Sequence, residues 1–81
     1  MAKIKVDELV RYLAQSLVLN PDQVDVQMTE TESSVLIELH VAPDDMGRVI
    51  GKQGRIAKAI RTVVKSATAN EKKRYSVEII E

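Results

Sequence analysis

A chain of 81 residues, 44% hydrophobic and 30% charged, has ordinary globular composition and makes one small domain, residues 1–81, with no room for an enclosed active site beside its core. The absence of cysteine excludes a disulfide frame and a thiolate metal site, and no apolar run approaches the eighteen or so residues of a membrane span. The formal net charge is zero, but residues 1–45 hold nine acidic and three basic side chains and residues 46–81 three acidic and nine basic, so the halves carry −6 and +6. Such asymmetry points the second half toward a polyanion. The start, Met1 to Glu8, has no apolar signal region, and the expectation is a soluble, cytoplasmic protein.

In chain order, Val6, Leu9, Val10, Leu13, Leu17 and Val18 follow helical spacing, with Lys5, Glu8, Arg11 and Gln15 on the wet face. Asn20-Pro21 closes this helix, Asn by tolerating a left-handed cap and Pro by forbidding continuation. Val24, Val26 and Met28 alternate with polar residues as a half-buried strand. The polar run Thr29–Ser34 is a turn, and Val35, Ile37, Leu39 and Val41 alternate as the clearest strand in the chain. The two strands predict an antiparallel hairpin with one face under helices. His40, the only histidine, has no His, Cys or Asp partner at ligand spacing and reads as a solvent-side strand residue. We expect no catalytic residue, no metal ligand and no cofactor.

Pro43-Asp44-Asp45 follows, where an aspartate can cap the short helix that leads to Ile50. The helix breaks at Gly51 and restarts after Gly54. Both glycines give access to positive φ and to close approach, Lys52 and Gln53 offer a cation and an amide between them, and a helix amino end lies just beyond. That combination suits a phosphate backbone. Ile56, Ile60, Val63, Val64 and Ala67 form the apolar stripe of the next helix, to about Ala69, while Arg55, Lys58, Arg61 and Lys65 share another face. Asn70 to Arg74 is a turn, and Tyr75 to Ile80 alternates as a last strand.

A nucleotide-binding P-loop needs four residues between its glycines and a Ser or Thr after the lysine; only three residues separate Gly47 from Gly51, and Gln53 stands in the place of the Ser or Thr. A plain helix–turn–helix capped by Gly51 is the other structural alternative. Taken with its flanks, Val49-Ile50-Gly51-Lys52-Gln53-Gly54-Arg55 resembles the signature of KH domains, whose GXXG loop clamps about four nucleotides of a single strand. Over essentially its whole length the chain is similar to the small bacterial single-KH proteins of the KhpA (YlqC-like) family.

The resemblance implies an α+β, type II KH domain: helix, strand, strand, helix, GxxG, helix, strand, with a three-stranded mixed sheet and helices packed on one face. It implies single-stranded RNA binding, with Gly51, Lys52, Gln53 and Gly54 gripping the sugar-phosphate chain. Val49, Ile50 and Ile56 would floor a base groove whose other wall is the Val35–Val41 strand, and Arg48, Arg55 and Lys58 would extend the positive track. Further implied are an RNA chaperone or regulatory role, links to cell-envelope homeostasis and cell length, and a homodimer or a pairing with a second, KhpB-like KH protein. A protein-interaction module with incidental RNA contact is the alternative. The chain holds no Phe or Trp, and its two tyrosines lie outside the motif, so little base stacking is expected.

Overall fold

The computed structural model describes residues 5–80; of the expected domain, residues 1–4 and 81 lie outside the described residues. Five main elements follow one another: α1 (Val6–Leu17), β1 (Asp25–Glu30), β2 (Ser34–His40), α2 (Pro43–Ala67) and β3 (Arg74–Ile80), with one 3-10 turn at Pro21–Gln23. The sheet has the order β1-β2-β3, antiparallel between β1 and β2 and parallel between β2 and β3. This is the α+β architecture of a KH domain.

The middle strand organises the rest. Val35, Ile37 and Leu39 alternate along β2 and are at most 1% exposed. In register they face Tyr75, Val77 and Ile79 of β3, and Ile37 and Leu39 face Met28 and Val26 of β1. Onto this row pack Val6, Val10, Ala14 and Val18 from α1 and its exit, and Val49, Ala57, Ile60 and Val64 from α2. Both helices thus lie on the face carrying these residues. On the opposite face Leu36, Glu38 and His40 stay half-buried, as the alternation requires.

The hairpin turn is tighter than the sequence implies, because β1 runs to Glu30 and β2 starts at Ser34. Without glycine or proline, it closes through Thr31: the Thr31 N–H donates to the Ser34 carbonyl at 2.8 Å, and the Ser34 N–H donates to Thr31 Oγ1 at 3.0 Å. A hydroxyl bonding nearby backbone is the usual way threonine makes a turn.

Two expectations about helix ends are corrected. Helix α1 stops at Leu17, and Asn20 has φ −120°, not the left-handed cap, while Pro21 opens the 3-10 turn. Nor does an aspartate cap α2: its N-cap is Ala42, with no side-chain cap bond and Pro43 in the first turn. Asp45 is instead fully buried and turns back to the α1 exit, accepting the Leu19 N–H on Oδ1 and the Asn20 N–H and Nδ2 on Oδ2, each at 3.0 Å. One cause underlies both differences. The Asp45 carboxylate, some 25 residues away, takes the Leu19 and Asn20 N–H groups that a left-handed cap would turn back onto the last carbonyls of α1.

The Leu19 amide, with further help from Asn20 and the charge of Arg48, holds the Asp45 carboxyl below the usual carboxylate range, against the opposing effect of burial. A depressed folded pKa gives stability that is present above the unfolded value of about 4 and is lost as pH falls through the folded one. Asp45→Ala, which strands three donors, is therefore expected to melt well below wild type at neutral pH, with Asp45→Asn between them. Thermal melts from pH 7 downward should show the wild-type advantage shrinking below about pH 4. An advantage independent of pH would contradict a role for the ionised carboxylate.

Candidate nucleic-acid interface

Helix α2 is two helical arms joined across a kink, and the kink is the glycine-bounded loop. The first arm is pinned by buried Val49 and Asp45, the second by Ala57, Ile60 and Val64. Between them Gly51 has φ −72° and ψ 173°, ordinary extended backbone, and three left-handed residues follow: Lys52 (φ 50°, ψ 49°), Gln53 (64°, 25°) and Gly54 (71°, 32°). Positive φ is expected at both glycines; it occurs at Gly54 and at the two non-glycine residues before it, but not at Gly51. Leaving one helix and entering another within four residues needs consecutive left-handed positions, and glycine covers the last of them. For Lys52 and Gln53 that conformation costs roughly 1–2 kcal/mol each. Strain of this kind persists only where the surrounding structure over-determines it, and it clusters at ligand clamps.

Gly51 is informative for the opposite reason. Its dihedrals suit any residue, and an added Cβ would meet nothing within 4 Å. Neither backbone nor neighbours require glycine there, so a requirement would have to come from something outside the chain.

The structure brings some of the ten candidate residues together and separates others. Arg48, Gly51, Lys52, Arg55 and Ile56 line one cleft of about 660 Å³. Val49 does not floor it: at 1% exposure it belongs to the core. Ile50 is 54% exposed but lies two residues from Arg48, about 200° around the helix, and so on another side of the arm. Gln53 and Lys58 are exposed, and Gly54 is half-buried at the start of the second arm. The Val35–Val41 strand is not a groove wall, because β2 is central and its helix-facing side chains are sealed. The strand beside the second arm is β3, where Arg61 Nε donates to the Val77 carbonyl at 3.3 Å.

Sequence reasoning missed the cleft's other wall. It is Leu19, 71% exposed, which Asp45 fixes by accepting its amide at 3.0 Å. Asp44 adds one carboxylate to a site otherwise rich in cations. On the second arm Val63 falls off the apolar stripe and is 37% exposed, and buried Ala57 takes its place. With Lys58, Arg61 and Lys65 also exposed, a positive surface runs from the kink along the second arm. Fixed donors and cations of this kind bind phosphate oxygens by charge-assisted hydrogen bonds. Among the described residues, no helix is long and apolar enough to cross a membrane, and no group of three or more His, Cys, Asp or Glu is placed to hold a metal ion.

Comparison with known proteins places the chain in a family. The family model described as KhpA/KhpB, KH domain matches residues 7–79. The chain is 62% identical to the RNA-binding protein KhpA of Caldanaerobacter subterraneus subsp. tengcongensis over 73 residues, covering 90% of this chain and 97% of that protein. It is 47% identical to the RNA-binding protein KhpA of Listeria monocytogenes over 75 residues, covering 93% and 99%. With the RNA-binding protein KhpA of Treponema pallidum the identity is 41% over 75 residues, covering 93% and 94%. No solved structure matches the chain at comparable stringency.

The two glycines should behave differently on substitution. Gly54→Ala forces a Cβ into the left-handed region and should lose about 1–2 kcal/mol of folding stability. Gly51→Ala should stay within about 0.5 kcal/mol of wild type. Urea unfolding of both variants checks this; a Gly51→Ala cost as large as that of Gly54→Ala would mean that the fold itself demands glycine at 51.

Proposed function

From the premise that this chain belongs to the KhpA/KhpB KH-domain family, we propose that it binds single-stranded RNA through the kink of α2. Gly51 lets the sugar-phosphate chain approach, Lys52 and Gln53 contact phosphate or sugar, and Arg48, Arg55 and Lys58 extend the track. Ile56 offers apolar surface in the cleft and Ile50 on another side of the arm, while Gly54 makes the left-handed exit and Val49 anchors the arm from the core. The observation that carries this reading is Gly51, a glycine that neither its own dihedrals nor its neighbours call for, set beside Lys52 in a cleft rich in cations. Weak, unselective binding suits an RNA chaperone or post-transcriptional regulator in the cytoplasm, with the links to cell envelope and cell length that the family resemblance implies. No group in the cleft supplies a reaction, and the reading is of a binding protein.

Two tests address the clamp. Affinity for a labelled single strand should fall with salt at a log–log slope near −0.7 per neutralised phosphate, about −2 to −3 for three or four contacts. The double variant Lys52→Asp with Gln53→Asp should abolish binding yet melt like wild type, since aspartate tolerates left-handed backbone and suits a helix amino end. Retained affinity in that variant would move the protein-interaction reading ahead.

A protein partner is part of the proposal. The small core and the weak single site favour association with a second KH domain, as a homodimer or with a KhpB-like protein. Linking two modules would raise affinity without new contacts. Sedimentation at micromolar concentration should show more than monomer, or a pull-down should recover a KH-bearing protein; a strict monomer with no such partner would contradict it.

A further inference from the structure

Three of the four polar side chains that line the cleft at the kink, Arg48, Lys52 and Arg55, can only donate hydrogen bonds, and the fourth is the carboxylate of Asp44. Asp44, Gly47, Arg48 and Gly51 share one face of the first arm, since positions three, four and seven apart fall together on a helix. Asp44 is exposed, and among the described residues its side chain has no hydrogen-bond or ion-pair partner. In a cleft that held phosphates alone this carboxylate would be out of place, because it repels what the cations attract. Gly47 adds an independent observation. It lies inside the helix of the first arm, where glycine is less stable than alanine, and its φ is not positive. An added Cβ there would meet nothing within 4 Å. As at Gly51, the fold makes no demand for glycine, so the bare backbone between Asp44 and Arg48 serves something that comes from outside.

We propose that a ribose of the bound strand lies against Gly47 and that Asp44 accepts its 2′-hydroxyl, which makes the clamp selective for RNA over DNA. This rests on the reading of the kink as an RNA clamp and gives that clamp a residue that sets specificity. The cations draw the sugar-phosphate chain into the cleft, where phosphate oxygens accept from Arg48, Lys52 and Arg55. The one hydrogen-bond donor that such a chain carries is the 2′-hydroxyl, and the one acceptor side chain lining the cleft is Asp44. A deoxyribose strand has no such donor and leaves the carboxylate unpaired beside phosphates. Selection acts on the sugar, so it needs no preference among bases.

The test compares labelled strands of about ten uridines that differ only at the 2′ position: ribose, deoxyribose and 2′-fluoro, the last keeping the ribose pucker without a donor. Wild type is expected to bind the ribose strand roughly fivefold to fiftyfold more tightly than either of the others. Asp44→Ala should bring the three affinities together, by weakening the ribose strand and tightening the deoxyribose one. Asp44→Asn, which keeps an acceptor without the charge, should fall between. Gly47→Ala should melt at or above wild type and yet bind the ribose strand more weakly. Equal affinities of wild type for ribose and deoxyribose strands, or a ratio that survives in Asp44→Ala, overturn the proposal and leave the clamp standing. The first turn of a helix also favours an acid through its dipole. If Asp44→Ala therefore only lowers the melting temperature and leaves the ratio unmoved, that dipole is its role and the proposal falls. It falls too if Asp44→Ala alters only the preference for cytidine strands, whose base carries an amine, over uridine ones, or if Gly47→Ala binds RNA as wild type does. If no strand binds wild type, this site and the clamp fall together.

Discussion

The face of β2 made by Val35, Ile37 and Leu39 is the constraint on which the molecule turns. It is sealed to at most 1% exposure, and it is sealed by α1 together with both arms of α2. Each arm is thus fixed independently to one core, and the four residues between them are released from core duty. Only such anchorage holds Lys52 and Gln53 left-handed, a conformation these residues would not choose alone. The core is therefore what shapes the loop, and the loop is what the site is made from.

Asp45 ties the remaining piece in place. It lies at the start of the first arm, and its carboxylate takes the backbone donors at the α1 exit, which seats Leu19 against the cleft beside the kink. An unpaired buried carboxylate would be costly, and three hydrogen bonds satisfy this one. The charge segregation of the chain then acquires a spatial meaning. Of the exposed cations of residues 46–81, Arg48, Lys52, Arg55, Lys58, Arg61 and Lys65 lie along α2, so a neutral protein presents a locally positive track.

Much of this was legible in the chain. The alternation of Val35 to Val41 identifies β2 because one face of that strand is fully buried, and the glycine pair with its flanks locates the kink. Less was legible where the cause lies far away in sequence. Asp45 reads as a local cap because its partners, Leu19 and Asn20, are more than twenty residues distant. Met28 keeps the alternation of β1 yet is 45% exposed, since alternation reports a face and not how far that face is covered. Val63 has the right residue type for the stripe but sits at its margin. Tyr75 acquires its surroundings only once β3 lies along α2, and the wall assigned to the Val35–Val41 strand moves for the same reason: the strand that borders α2 at the surface is the edge strand.

The central claim is that RNA is held at Gly51–Gly54 and along the second arm of α2. The most direct measurement is a titration of ¹⁵N-labelled protein with single-stranded RNA, followed amide by amide in NMR spectra. The account predicts the largest shifts at Gly51, Lys52, Gln53, Gly54 and Arg55, with smaller ones along the exposed surface from Lys58 to Lys65. Shifts confined to α1 or to the helix-free face of the sheet, with the Gly51–Gly54 amides unmoved, would contradict it.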